Sequence, residues 1–178
     1  AASQTYSHRA RVTVSHLARL QSVLDREIPM CGLMGVRVAS AEGDLAEGLA
    51  MTMPLERNRN HQQTAFAGSL NALCTIAGWG ATWLELRRLE AEGVPVEGAI
   101  VIRRSTIKYH EPVTSPLITA RCVPPTADAR SHFAEMLVEK GQSKFDLQVE
   151  IASSDPERPA VVLKGSYVVL PAEEAIGI

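Results

Sequence analysis

Residues 64–84 read TAFAGSLNALCTIAGWGATWL, a stretch without a single charged side chain. Its length would suit a membrane span. Ser69, Asn71, Thr75 and Thr82 punctuate it, however, and Gly68, Gly78 and Gly80 dilute it. A helix that is apolar all round is also what the inside of a protein requires. The segment is therefore read as a buried helix running from about Ala65 to Ala91, with Gly93 as its stop. Its charged last turns, Glu85 to Glu92, are expected to emerge from the core.

The chain on either side says what such a helix lies against. Before it, Val14, Leu17, Leu20 and Leu24 recur at helical spacing, with Pro29 closing that segment. Two short extended runs follow, Gly35 to Ala41 and Leu45 to Met53, joined by the turn signal Glu42-Gly43-Asp44. After the helix, strands are expected over Ala99–His110, Leu117–Val123, Phe145–Ile151 and Ala160–Leu170, the last with Gly165 as a candidate bulge. Phe145, Leu147, Val149 and Ile151 alternate with polar residues, the pattern of a strand with one buried face. Between the second and third of these strands, Thr126 can cap a short helix from Ala127 to Lys140, stopped by Gly141.

Strands and helices do not alternate, so parallel βαβ units are excluded. The order predicts an α+β hotdog fold: an antiparallel β-sheet wrapped around a long central helix, with an N-terminal helix and a small helical insertion. A generic α+β domain of other topology is the alternative. Residues 1–12 are expected to be disordered, and 13–178 to form one domain.

Composition narrows the partners. The 178 residues carry a net charge of −2, which offers no global attraction to nucleic acid or membrane. Three widely spaced cysteines, Cys31, Cys74 and Cys122, form no CxxC pair and suit a reducing, cytoplasmic compartment better than a disulfide framework. No metal-ligand spacing is evident, so no metal is expected.

The densest set of functional side chains precedes the long helix: Asn58, Asn60, His61 and Thr64, followed by Gly68 and Ser69 in its first turn. A helix N-terminus presents free N–H groups and partial positive charge, and neutral Asn and Thr donors beside it suit a developing oxyanion. The plainer reading makes them loop and capping residues, with Gly68 serving packing. Ser69 lacks a nucleophile elbow. Cys74 reads as a small core residue.

The stretch NRNHQQTAFAGSL (58–70), with Gly78-Trp79 later in the helix, resembles the thioesterase-like family formed by the C-terminal domain of YiiD-type bacterial proteins. Ile28-Pro29, Val36-Arg37-Val38, Ile100-Val101-Ile102, Tyr109 and Pro112-Val113-Thr114 agree with it, over roughly residues 15–170. The resemblance implies a hotdog homodimer with active sites between subunits. It also implies an enzyme of acyl thioesters carried by acyl carrier protein or coenzyme A, with the carrier arm as part of the substrate and no cofactor besides. Members are similar to malonyl-acyl carrier protein decarboxylases of fatty acid biosynthesis, or are described as thioesterases. Carried over by position, Asn60 and Thr64 would be catalytic, and Asn58, His61, Phe66, Gly68 and Ser69 would bind substrate.

Two reactions and a silent binding module stay open. Hydrolysis needs a carboxylate or an activated water, yet no acidic residue occurs between Arg57 and Glu85. Loss of carbon dioxide from a malonyl thioester needs no base, only a stabilised enolate. That favours a lyase over a hydrolase, unless an acid such as Glu111 arrives from a second subunit. Arg103, Arg104 and Lys108, followed by Arg57 and Arg59, are the candidates to dock an acidic carrier.

Overall fold

The computed structural model describes residues 16–39, 48–155 and 157–171; the stretch 1–12 expected to be disordered and the Glu42-Gly43-Asp44 turn lie outside them. In chain order come helix α1 (16–27), helix α2 (Pro29–Met34), strand β1 (Arg37–Val38) and strand β2 (Ala50–Pro54). A 3-10 turn over Leu55–Asn58 leads into the long helix α3 (Ala67–Ala91). Then follow β3 (Ala99–Tyr109), β4 (Leu117–Cys122), α4 (Ala127–Lys140), β5 (Ser143–Ile151) and β6 (Val161–Leu170). The strands form one sheet in the order β1-β2-β4-β5-β6-β3, each neighbouring pair antiparallel. α3 lies on one face of it, against β2 to β6. This is the hotdog arrangement.

Close packing of α3 on the sheet depends on its small residues. Gly78 faces the fully buried Tyr167 of β6 so closely that a Cβ there would collide with the ring. The Tyr167 hydroxyl donates to the Thr75 carbonyl of α3 at 3.1 Å. On another side of the helix, Gly80 admits Met51, Leu49 and Leu20, so α1 also packs tightly. Leu17, Leu20 and Leu24 are buried there, and Val14, the first residue at that spacing, lies outside the described residues. The opposite face of the sheet is polar, as β5 shows by strict alternation of buried and more exposed residues.

α4 is pinned to β5 by Phe133 stacked on Phe145, ring centroids 4.0 Å apart. Thr126 caps it, its hydroxyl accepting from Ala129 N at 3.2 Å, and Gly141 ends it with φ +66°. Thr126 and Gly141 take the places the sequence predicts for them.

Four details differ from the sequence reading. Pro29 does not close the first helical segment but opens α2, because a proline at the first helical position loses no hydrogen bond. The described parts of the two extended runs pair over Arg37–Val38 and Met51–Thr52, with one further bond from Ala39 N to Ala50 O at 2.9 Å. The bulge falls on β3, between Ile102 and Arg104, while Gly165 pairs in register with Ser105. Gly165 is small because a side chain there would press on Tyr167 and Leu163.

The charged end of α3 does not emerge at Glu85. That carboxylate is 6% exposed and neutralised by Arg88 at 2.6 Å, with Arg130 of α4 at 3.8 Å. Leu84, Leu86 and Leu89 are buried around it. The helix emerges only from Glu90 to Glu92, and its first turn is exposed too, where Ala67 and Gly68 lie open.

Candidate functional site

Asn58, Asn60 and Thr64 do different work in the segment that feeds α3. Asn58 is 3% exposed, and its amide donates to Met34 O at 2.9 Å and Pro54 O at 2.8 Å. Both protons are thus committed to holding the loop against α2 and β2. Arg59 bridges Ala65 as an isolated antiparallel pair, and between them the chain turns back on itself. Asn60 N donates to Thr64 O at 2.8 Å, and Gln63 takes the left-handed conformation, φ +65°.

The Asn60 side chain fills this turn. Its Oδ1 accepts from Gln62 N at 2.9 Å and Thr64 N at 3.2 Å. Two backbone donors on one oxygen fix the amide's orientation, which turns Nδ2 toward Thr64 Oγ1 at 2.9 Å and Ala65 O at 3.5 Å. Because Thr64 Oγ1 accepts from Asn60, its own proton is left to donate. The two residues expected to act together are thus joined directly, half-buried, three to seven positions ahead of the helix.

The helix start stands beside this pair. Ala65 N donates to Val113 O at 2.8 Å and Phe66 N to Asn58 O at 2.7 Å, so α3 begins at Ala67 and not at Ala65. The first bond of the helical series is Leu70 N to Phe66 O, 3.1 Å. Phe66, the N-cap residue, supplies no side-chain cap. The amides of Ala67, Gly68 and Ser69 are therefore the groups open to an anionic ligand. The Phe66 ring, 54% exposed, lies over Gly68 where a Cβ would meet it, which accounts for that glycine.

One further side chain reaches this turn, and it carried no role in the sequence reading. Tyr109, the last residue of β3, donates its hydroxyl to Ala67 O at 3.1 Å. Its ring is 45% exposed on the face of the sheet turned to α3, since its register partner is Val161 and Tyr167 shares that parity. The usable signal was its position, an aromatic residue closing a strand on the helix-facing phase.

The remaining candidates lie apart from the helix start. His61 is exposed at the tip of the turn. Arg104 and Lys108 share the polar face of β3, opposite to Tyr109, and Arg103 is the extra residue of the bulge. Arg57 reaches Gly32 O at 3.4 Å, and Arg59 reaches Gln63 Oε1 at 3.0 Å. Glu111 accepts from Ser154 N at 3.3 Å, and Glu85 is bound to arginines in the last turns of α3. Cys74 is buried in α3, which pushes its thiol up to about 12 and leaves it protonated at neutral pH.

Comparison with known proteins bears on this arrangement. A family model described as Putative thioesterase (yiiD_Cterm) matches residues 17–171. Among solved structures, the chain is similar to the protein OLEI01261 of unknown function from Chlorobaculum tepidum TLS, at 29% identity and a TM-score of 0.75. The match covers 86% of this chain and 93% of that one. A putative thioesterase from Shewanella oneidensis is 27% identical with a TM-score of 0.72, over 88% of this chain and 99% of that one. Thioesterase HI1161 from Haemophilus influenzae shares the fold, with 17% identity, a TM-score of 0.58 and coverage of 87% and 90%.

Proposed function

The chain belongs to the thioesterase-like family of the YiiD C-terminal domain, and from that premise we propose that it decarboxylates a malonyl thioester to the acetyl thioester. The observation that carries this reading is the pairing of two neutral donors, Asn60 and Thr64, beside the uncapped first turn of α3. No carboxylate occurs between Arg57 and Glu85, and Glu85 is neutralised elsewhere.

In the reaction the bond between C2 and the carboxylate breaks and carbon dioxide leaves. The electron pair flows into the thioester carbonyl, making an enolate oxygen. The Thr64 hydroxyl, held by the Asn60 amide, and the backbone amides of Ala67 to Ser69 lower the energy of that charge. C2 then takes a proton from solvent. Phe66, whose ring lies over Gly68, would set an apolar surface beside the departing carboxylate, which favours its loss.

Acyl carrier protein or coenzyme A would present the substrate. The basic residues Arg103, Arg104 and Lys108 of β3 would offer an acidic carrier its docking surface. A second copy of the chain would pair along β3, whose far edge is unmatched among the described strands.

Hydrolysis is the second reading, favoured by the family's description and by the name of the Shewanella protein. Mass spectrometry of the protein incubated with malonyl- and acetyl-loaded carrier protein and coenzyme A separates the possibilities. Conversion of malonyl to acetyl carrier is the expected result. Free thiol and free acid would establish hydrolysis, and unchanged substrates a binding module.

A further inference from the structure

We infer that Tyr109 is a third donor to the thioester oxygen, held in reserve on the Ala67 carbonyl until substrate takes its proton. The inference rests on the thioester carbonyl binding at the start of α3, not on which reaction follows. An enolate oxygen and a tetrahedral oxyanion ask for the same donors.

Three observations carry it. First, the hydroxyl of Tyr109 stands 3.1 Å from Ala67 O, in the very turn whose amides face the ligand. Second, Ala67 O is the helical partner of Asn71 N, four residues on, so the phenol's bond to it is a surplus one. Withdrawing the phenol leaves no carbonyl unpaired, and the donor can be exchanged at little cost. Third, the ring is 45% exposed on the side of β3 facing α3, across from the donors carried by α3 and its preceding turn. Asn60 and Thr64 approach the helix start from ahead of it, and Tyr109 approaches from the neighbouring strand. Partial burial, with the nearby Cys74 thiol, raises the phenol above its ordinary pKa, so it keeps the proton it has to offer.

The test is Tyr109→Phe, which keeps the ring and removes one oxygen. Whichever thioester reaction the wild type performs is the assay. The melting temperature should stay within about 4 °C of wild type. kcat should fall on the order of a hundredfold with KM unchanged, the mark of an interaction made in the transition state. A variant with wild-type kcat, or one that changes KM alone, overturns the inference. A wild type that hydrolyses acyl thioesters without decarboxylating malonyl sinks the decarboxylase reading and leaves this one to be judged by Tyr109→Phe on hydrolysis. A wild type inactive on every thioester overturns both.

Discussion

Asn60 both builds its turn and is expected to act on substrate, so its replacement must separate the two roles. Alanine would strip Gln62 N and Thr64 N of their acceptor as well as removing the amide donor. Asn60→Asp keeps an oxygen in the acceptor position and replaces the donor by negative charge. Thr64→Val keeps the branched shape and loses the hydroxyl. Both should lower kcat for acetyl-carrier formation by about a hundredfold to a thousandfold, with melting curves close to wild type for Thr64→Val. Activity within threefold of wild type in both variants would remove these residues from the site. The thiols give a second check at this scale. Burial pushes Cys74 and Cys122 up to about 12, so at pH 8 only about one in ten thousand of each is thiolate. Folded protein should therefore react with an aromatic disulfide reagent far more slowly than the urea-unfolded chain. Equal rates would mean that α3 opens readily.

Helix α3 connects the site to the sheet, and its glycines decide how closely. At Gly78 the neighbour is Tyr167, fully buried and bound through its hydroxyl to Thr75 O, so the ring has no easy retreat. Gly78→Ala gains helix propensity of about 1 kcal/mol. It should nonetheless destabilise the protein by about 1–3 kcal/mol, because overpacking against a fixed ring outweighs that gain. Urea denaturation measures the difference, and an unchanged or raised midpoint would mean that α3 can shift on the sheet. At Gly68 the obstructing ring is the exposed Phe66, which can swing aside; a substitution there would disturb the site more than the fold.

At the scale of the molecule, the two edges of the sheet are unlike. β1 is two residues long, whereas β3 runs from Ala99 to Tyr109 and pairs on one side with β6. Among the described residues the other edge of β3 is open, and with Ile102 at 38% exposure it invites a second copy. Light scattering at micromolar concentration should give about twice the 19.3 kDa chain mass. Ile102→Glu should shift the protein toward monomer while the circular dichroism of the sheet persists. A wild-type monomer at that concentration would refute the pairing.

Elements whose signals are local could be read from the chain alone. The alternation of β5, the Thr126 cap and the Gly141 stop need only neighbouring residues to be read. The uncharged run before Glu85 likewise marked a buried helix, because burying charge is costly whatever the topology. The side chains gathered ahead of α3 were legible as types, and the structure joined Asn60 to Thr64 while turning Asn58 inward. The rest depended on partners distant in sequence. Glu85 reads as a surface charge until Arg130 arrives from α4 beside Arg88. Gly165 reads as a bulge until Tyr167 and Leu163 crowd it. Tyr109 reads as the end of a strand until antiparallel pairing with β6 carries it across to Ala67, and no local pattern encodes a contact over that separation.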